Sequence, residues 1–428
     1  MVISGMIISY QKRIINIHKS ITRNASCTED KMKKHIVIEQ PEQCCACGAC
    51  FNVCPTGAIA MTEDRAGFLY PAVDESMCVK CGKCVDVCVF EEKANGANGE
   101  PAVYAAVSRD RDVLQESSSG GIFTALANAV LDKGGVVFGA AWTDDLSVAH
   151  TGVSDTASLG KLRGSKYVQS ATGDSFRQVK RLLRDGVCVC YSGTPCQIAG
   201  LKAYLGADFE NLLTVDIICH GVPSGKMLRD DLSYVSGGKL AQIREIRFRD
   251  KHFGWGTKGS VTCGGARIKY DAGTSPYYFY FLQGEVYRES CYRCRFPSEG
   301  RQGDITLGDY WGVREETIRQ MGNIDPDLGV SCILVNSEKG KKWLAAVEDT
   351  LSIVPSDRKS VEKRNKQLTA PSVPLPEHNE LLEGYTEKGY SAFQDGYKKH
   401  GKDHLIRTVK NMIPSKIKRK LSERLLSS

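Results

Sequence analysis

Two runs of four cysteines, 34 residues apart near the start of the chain, constrain its fold and chemistry more than any other feature. In both runs two, two and three residues separate successive cysteines. Three thiolates at two-residue intervals can bind three irons of one cubane cluster, while the fourth thiolate binds the cluster of the other run. The spacing therefore predicts a domain that holds two [4Fe-4S] clusters. The two ligand sets are Cys44, Cys47, Cys50 and Cys88, and Cys78, Cys81, Cys84 and Cys54.

A pair of zinc sites is the alternative interpretation, since Cys-x2-Cys pairs also suit tetrahedral zinc. Zinc gives no reason for two matching runs of four cysteines, so we favour iron–sulfur clusters. The chain contains 18 cysteines, and clusters need reduced thiolates, which indicates a reducing compartment rather than a secreted disulfide scaffold. We therefore expect a cytoplasmic protein. No apolar stretch of the sequence approaches the roughly 18 residues of a membrane span.

The 428-residue chain is long enough for two or three domains. We expect residues 1–35 to be an extension that is disordered or precedes the true start of the protein, and 36–92 to form the ferredoxin domain. Residues 100–355 are expected to form the main body. Residues 356–428 are expected to be a C-terminal extension.

The extension ends in a predicted basic amphipathic helix, because apolar residues recur at three- or four-residue steps among ten lysines and arginines from Lys398 onward. Such a helix can dock on its own domain, make peripheral contact with an anionic membrane surface or bind an acidic partner. The tail has no nucleic-acid motif, so we expect no nucleic-acid partner.

The main body alternates strand-like and helix-like segments, which predicts an α/β fold with a mainly parallel or mixed sheet. From Ile243 onward the pattern changes to antiparallel pieces, including a hairpin that turns at Gly264 and Gly265. The fold class is therefore an α+β bicluster ferredoxin domain followed by an α/β domain with antiparallel insertions. Strands are expected at 103–108, 135–142, 187–191, 213–219 and 330–335, and helices at 121–131, 175–183, 198–204 and 341–351.

Several segments of the body have features suited to a phosphate-bearing cofactor. Small residues precede the helix at 121–131, where backbone amides and the helix dipole attract phosphate, although serine is also a common helix cap. Lys166, beside Tyr167, is placed to stabilise an anionic reduced flavin or is a plain surface lysine. A further loop follows a predicted strand, and such loops form the ligand crevice of open α/β sheets. The candidate residues of the loop before the helix are Ser118, Ser119, Gly120 and Gly121. Those of the loop after the strand are Ser192, Gly193, Thr194, Pro195 and Gln197.

Four cysteines of the body supply enough thiolates for a third [4Fe-4S] cluster. Cys196 and Cys219 follow strands, and Cys291 and Cys294 have chelate spacing. A zinc site, or a redox-active dithiol of Cys291 and Cys294, is the alternative. His220 is either a proton donor or a local hydrogen-bonding residue. Cys188 and Cys190 read as buried packing residues, and no role is assigned to Cys27, Cys45, Cys263 and Cys332.

Five motifs of the body occur in a specific order: Ser119-Gly120-Gly121, Gly193-Thr194-Pro195-Cys196-Gln197, Cys219-His220-Gly221-Val222-Pro223-Ser224, Cys291-x2-Cys294 and Asp304-Ile305-Thr306-Leu307-Gly308-Asp309-Tyr310-Trp311-Gly312. This ordered set resembles the coenzyme F420 hydrogenase/dehydrogenase beta-subunit family. The ferredoxin module in front of it is similar to the input subunits of F420H2 dehydrogenases.

The resemblance implies that the body binds FAD beside an iron–sulfur cluster. It also implies hydride exchange between the flavin and a deazaflavin coenzyme or another organic substrate, and single-electron exchange with the clusters. The chain would then be a flavin- and iron–sulfur-dependent oxidoreductase with a small-molecule hydride donor or acceptor and a redox partner protein or complex. A non-catalytic electron-transfer subunit and an accessory reductase in envelope polysaccharide synthesis stay open. Members of one fold act on different substrates, so the resemblance does not fix the substrate.

Overall fold

The structure is a computed structural model, and it describes residues 35–90, 100–298 and 300–399. The predicted N-terminal extension lies outside these residues except for its last position, and the predicted basic helix lies almost entirely beyond them. The described residues form one two-stranded, one three-stranded and one eight-stranded sheet. Among the described helices, none is long and apolar enough to cross a membrane.

The N-terminal module consists of two similar halves. Gly48 and Gly82 adopt left-handed conformations, and each is followed at once by a short helix that carries the third cysteine of its run. Left-handed backbone also recurs at Ala46 and Lys80, between the first two cysteines of each run. The elements are α1 Ala49–Val53, β1 Ile59–Glu63, β2 Leu69–Val73 and α2 Lys83–Asp86, with β1 and β2 paired antiparallel.

The body is built on a mixed eight-stranded sheet, which confirms the expected mixed α/β architecture. Its strand order is β13-β3-β12-β11-β7-β6-β4-β5, in which β4, β6, β7 and β11 run parallel and all other pairings are antiparallel. The antiparallel strands β8, β9 and β10 form the three-stranded sheet. The strands are β3 Ala102–Ser108, β4 Val136–Trp142, β5 Val148–Val153, β6 Val189–Gly193, β7 Leu212–Ile217, β8 Ile243–Arg247, β9 Gly259–Cys263, β10 Ala266–Tyr270, β11 Ile305–Asp309, β12 Ser331–Val335 and β13 Leu351–Ser356.

Helices cover both faces of the large sheet, because alternate strand residues point to opposite sides. Val137 packs in one core with helices α4 (Ile122–Leu131) and α11 (Glu338–Ala345). Its neighbour Phe138 packs in a different core, on the other face, with helices α5 (Ser175–Arg184) and α6 (Pro195–Leu205). A third, aromatic core joins α7 and α8 to the small sheet. The body helices are α3 Arg111–Glu116, α4 Ile122–Leu131, α5 Ser175–Arg184, α6 Pro195–Leu205, α7 Gly225–Val235, α8 Pro276–Gln283, α9 Glu289–Tyr292, α10 Glu315–Gln320, α11 Glu338–Ala345, α12 Arg358–Glu362, α13 His378–Lys388 and α14 Ser391–Lys399.

Most predicted elements occur within a few residues of their expected bounds, and the hairpin turns at Gly264 and Gly265 as expected. The helix predicted over 341–351 is wrong at its C-terminal end, because α11 ends at Ala345 and Leu351 begins strand β13. The described part of the predicted C-terminal extension packs on the body, since Tyr385 and Phe393 are buried in the aromatic core.

A buried ion pair ties the end of β7 to the segment that precedes β11. The Arg301 and Asp216 side chains are 1% and 0% exposed, and the Arg301 Nη2 to Asp216 Oδ2 distance is 3.2 Å. Arg301 also donates a hydrogen bond to the Ile217 carbonyl, the last of β7. Because Cys219 follows two residues later, this pair fixes the strand end from which that cysteine projects.

We expect Arg301→Met to destabilise the fold by about 3–5 kcal/mol, because it leaves the buried Asp216 carboxylate without its cation. The loss is measured as a lower midpoint of anaerobic thermal unfolding. Lys398→Met is the control, since it removes an ion pair whose side chains are 72% and 70% exposed and should cost less than about 1 kcal/mol. Equal midpoints for the two variants would contradict the prediction.

Candidate functional site

One small cavity of the N-terminal module is lined by Cys54, Cys78, Cys81 and Cys84, which we call the outer set. Cys54 comes from the first run and the other three come from the second, so the fold brings together the cysteines that the spacing grouped. The Ile36 amide lies 3.3 Å from the Cys84 sulfur, and such hydrogen bonds help to set cluster potentials. Cys81 is exposed to solvent.

A second group, the inner set, consists of Cys44, Cys47, Cys50 and Cys88. Burial raises the pKa of Cys50 well above its ordinary value, and the charges of the other three thiolates raise it further. Cys88, from the second run, also packs against the small core that contains Cys50 of the first run. The fold therefore groups both sets across the two halves of the module.

The four body cysteines, the body set, also converge. Cys196 lies in the first turn of α6, Cys219 follows β7, and Cys291 and Cys294 lie in and after α9. Burial raises the pKa of Cys219 well above its ordinary value, and the nearby charges of the other three cysteines raise it further. Within the described residues no three histidine, cysteine or acidic side chains meet closely enough to hold a single metal ion. A cubane places each thiolate on a different iron, so its ligands surround a larger volume.

Cys45, to which the sequence assigned no role, lies between the inner set and the body set. Cys45, Cys47 and Cys196 pack in one core, and the neighbouring thiols of Cys196 and Cys47, together with burial, raise the pKa of Cys45 well above its ordinary value. The neighbouring Cys45 thiol is in turn the main influence that lowers the pKa of Cys196 to about 7, against the effect of burial. Its position directly after Cys44 was the one available signal, and a lone extra cysteine carries no spacing information.

Helix α6 approaches the inner set closely because residue 200 is glycine. A Cβ atom at Gly200 would lie 2.9 Å from the Cys47 sulfur, which is too close for any side chain. The same helix carries Cys196 at its start. The inner set and the body set are therefore neighbours across the contact between module and body.

Hydrogen bonds from the body to main-chain carbonyls of the module hold this contact. Arg288 Nε donates to the Cys44 carbonyl at 2.5 Å, and Thr172 Oγ1 donates to the Cys47 carbonyl at 3.2 Å. The Arg288 guanidinium also lies 4.1 Å from the ring centroid of Tyr70. Gln169 donates to the Cys45 carbonyl at 3.3 Å. These bonds attach the segment of Cys44, Cys45 and Cys47 directly to the body.

The body contains a cavity of about 470 Å³ beside the body set. It opens where the parallel strands β6, β7 and β11 end and where α4 begins, which is the position of ligand crevices in α/β sheets. Its volume is in the range of small-molecule sites. Among its wall residues are most of the predicted cofactor residues and two cysteines of the body set: Ser118, Ser119, Gly121, Lys166, Tyr167, Ser192, Gly193, Thr194, Gln197, Cys196 and Cys219.

Gly120 and Pro195 are not among the wall residues. Gly120 instead fits against strands β3 and β12, since a Cβ there would lie 2.4 Å from the Ala106 carbonyl oxygen. Pro195 is the first, buried residue of α6. Both residues shape the loops behind the wall without reaching the cavity.

One side of the cavity carries positive charge next to the loop of Ser117, Ser118 and Ser119 before α4, which we call the serine loop. Lys166 Nζ donates to the carbonyls of Lys161 and Arg163 at 3.2 and 2.8 Å, and burial lowers the pKa of Lys166 to about 7. Arg163 Nε is buried without a hydrogen-bond partner among the described residues. Ser118 Oγ accepts from the Ser165 amide at 2.7 Å, which joins the serine loop to this side. A buried guanidinium nitrogen without an acceptor, on a half-buried arginine, fits an anionic group such as a phosphate.

Other wall residues had received no role from the sequence. His150 Nε2 and Nδ1 lie 3.0 and 2.9 Å from the Ser192 carbonyl and Ser170 Oγ, and burial lowers the pKa of His150 to about 4. The ring is therefore neutral at neutral pH. His150 lies on β5, a strand that the sequence pattern did not indicate. His220 lines the cavity near Cys219.

The motif around Asp309 supplies a second polar side of the cavity. Arg249 Nη1 and Nη2 donate to the two carboxylate oxygens of Asp309 at 2.8 and 3.1 Å, and Trp255 Nε1 donates at 2.7 Å. Trp255 stacks on Trp311 with ring centroids 4.7 Å apart. Asp309 and Trp311 both line the cavity, so the hydrogen bonds and ring stacking of this motif hold one wall of the cavity rigid. The sequence alone had indicated no individual role for these two residues.

Of the remaining cysteines, Cys190, Cys263 and Cys332 are buried within strands of the body, as packing residues would be. Cys188 is half-buried just before β6. Cys27 lies outside the described residues.

Comparison with known proteins identifies three regions of the chain. Residues 103–175 and 188–359 match the models for the coenzyme F420 hydrogenase/dehydrogenase beta subunit, N-term and C terminus, and residues 43–91 match a 4Fe-4S dicluster domain. No curated protein matches. Among solved structures, a chain of the F420-reducing [NiFe] hydrogenase complex from Methanosarcina barkeri is 17% identical over 72% of this chain and 94% of that chain, with a TM-score of 0.43.

Paired substitutions test how the eight cysteines of the module are shared. We expect Cys50→Ala/Cys88→Ala to remove one cluster, about four irons, because both residues belong to the inner set. Cys84→Ala/Cys88→Ala should remove both clusters, about eight irons, because its residues belong to different sets. Iron analysis of anaerobically purified variants measures the difference. The opposite order of losses would show that each run binds its own cluster.

Proposed function

Because this chain belongs to the coenzyme F420 hydrogenase/dehydrogenase beta-subunit family, we propose that it is a flavin-dependent oxidoreductase coupling a hydride donor or acceptor to [4Fe-4S] clusters. It is an iron–sulfur electron-transfer subunit of that family with a 4Fe-4S dicluster domain. One observation carries the proposal: Cys196 and Cys219 belong to the body set and also line the large cavity. A cofactor in the cavity would therefore lie beside a third cluster.

The residues of the cavity fit FAD in charge and shape. The serine loop presents small residues at the start of α4, and Arg163 and Lys166 supply cations for the phosphates or for an anionic reduced ring. A flavin in this position supplies two-electron exchange with an organic substrate and one-electron exchange with clusters. His150, neutral at neutral pH, holds the Ser192 loop without adding charge, and Trp311 and Asp309 shape the other side.

The three cysteine sets lie in sequence from the cavity to the surface. The body set borders the cavity, Cys45 connects it to the inner set, and the outer set lies in the other half of the module, where Cys81 is exposed. In this order, single electrons would be transferred through the clusters between the substrate cavity and a protein partner at the surface. We propose that a redox partner protein or complex exchanges electrons there.

The first test is the iron and flavin content of protein purified without oxygen. Three cubanes and one flavin give about twelve irons and one FAD per chain. Cys291→Ala should lower the iron to about eight, because it removes a ligand of the body set, while Cys263→Ala, a buried cysteine outside all three sets, should keep all twelve. About eight irons and no flavin in the unaltered protein would instead favour a non-catalytic electron-transfer subunit.

Rebinding of FAD by flavin-stripped protein should weaken as the pH rises from about 6.5 to 8.5. Burial lowers the pKa of Lys166 to about 7, so Lys166 carries its proton below this pH and loses its positive charge above it. Lys166→Met should bind FAD about tenfold or more weakly at pH 6.5, since a charged hydrogen bond is worth about 1.5–3 kcal/mol, and should lose this part of the pH dependence. Quenching of FAD fluorescence measures both effects.

The exposed Lys161, whose main-chain carbonyl alone contacts Lys166, provides the control substitution Lys161→Met. It should leave the affinity and its pH profile unchanged. Identical profiles for the unaltered protein and Lys166→Met would remove Lys166 from the flavin site.

A further inference from the structure

An open groove of about 620 Å³ lies beside the outer set, at the boundary between module and body. Its wall includes Lys83 of α2 and Arg177 and Lys180 of α5, together with Cys54 and Tyr204. None of the described residues that line it is acidic. The groove is therefore a concentration of positive charge in a chain whose described surface carries both signs.

The groove reaches the outer set directly. Cys54 and Lys83 line both this groove and the cavity that contains the other three cysteines of the set. Cys54 is only half-buried. A protein seated in the groove would thus contact one cysteine of the outer set directly.

Three of the four cations of α5 share one face of the helix, because Arg177, Lys180 and Arg184 are three and four residues apart. Burial lowers the pKa of Lys180, and the positive charge of Arg184 lowers it further, so the two cations are close neighbours. Within the described ranges neither forms an ion pair with a carboxylate. Like charges held together without counter-charges favour an anionic partner.

Arg177 has a separate structural task. Its Nε donates to the Asn52 carbonyl at 2.8 Å, and its Nη2 donates to the Phe51 carbonyl at 2.7 Å. It therefore anchors α5 to the module, which holds Lys180 in the groove that Cys54 also lines. Lys180 and Arg184 are neighbouring cations on one face of α5 that can be altered without breaking this anchor.

We propose that this groove is the docking site of an acidic one-electron carrier protein. Opposite charge would steer the carrier to the groove, and one electron would pass per encounter between the carrier and the outer cluster, one being oxidised as the other is reduced. The inference rests on the proposed function, since it takes the outer set to hold a cluster. It adds to that function the surface at which the partner docks and the negative charge of the partner.

The test uses the complete protein with its cofactors and a small acidic [4Fe-4S] ferredoxin, pre-reduced, as the probe. Stopped-flow absorbance at low ionic strength gives the second-order rate constant for electron transfer. Lys180→Glu/Arg184→Glu should lower it about tenfold or more, and added salt should slow the unaltered protein and shrink this difference, because steering by charge is screened.

A matched control carries the same change in net charge on a different helix. Lys341→Glu/Lys342→Glu alters two exposed residues of α11 that do not line the groove, and the rate constant should stay within about twofold of the unaltered protein, since screened distant charges contribute little. Lys180→Arg/Arg184→Lys keeps the charge and should keep the rate. Equal iron content and circular dichroism show that all variants fold.

Reduced methyl viologen, a small cation, separates docking from the relay itself. It should reduce the unaltered protein and the Lys180→Glu/Arg184→Glu variant at similar rates, or the variant faster. An unchanged ferredoxin rate in that variant, or an equal loss in the α11 control, would overturn the docking site while leaving the proposed function intact. If viologen transfers no electrons to the unaltered protein, the proposed function fails, and the inference fails with it.

Discussion

The contact between the N-terminal module and helix α6 is the constraint on which the rest of the site depends. Gly200 lets the helix backbone approach Cys47, and the same helix places Cys196 beside Cys45. The proposed third cluster would need to lie close to the inner set for electron transfer, and this proximity comes from packing rather than from a shared loop. A side chain at Gly200 would move the module away from the body, so one missing Cβ sets the spacing of two cysteine sets.

The buried polar residues of this contact hold main-chain atoms rather than other side chains. Arg288 and Thr172 donate to the carbonyls of Cys44 and Cys47, and each carbonyl belongs to a residue of the inner set. Hydrogen bonds to the main chain fix where a cysteine sulfur points without competing for the sulfur itself. Arg288 is fully buried, so its position is defined by packing against Tyr70 as well as by these bonds.

The sequence predicts the parts of this arrangement that depend on local spacing. The eight module cysteines, the body cysteines and the serine loop could be named because each motif is short and its spacing reflects ligand geometry or a helix start. His150 and Cys45 could not, because their neighbours come from distant segments. His150 contacts residues 20 and 42 positions away, on elements that only the sheet order brings together. Strand β13 was missed because it pairs with β3, nearly 250 residues earlier.

The inner set is more buried than the outer set, and this difference has an electrical consequence. Cys47 and Cys50 of the inner set are buried, whereas Cys81 of the outer set and the residues on either side of it in sequence, Lys80 and Gly82, are exposed or half-exposed. Reduction adds negative charge to a cluster, and water stabilises added charge better than a buried environment does. Solvent exposure therefore favours the reduced state of a cluster at the outer set relative to a cluster at the inner set. The nearby cations Lys83 and Lys180 act in the same direction, so in the proposed function an electron leaving a flavin in the cavity would be drawn to the part of the protein where a partner can reach it.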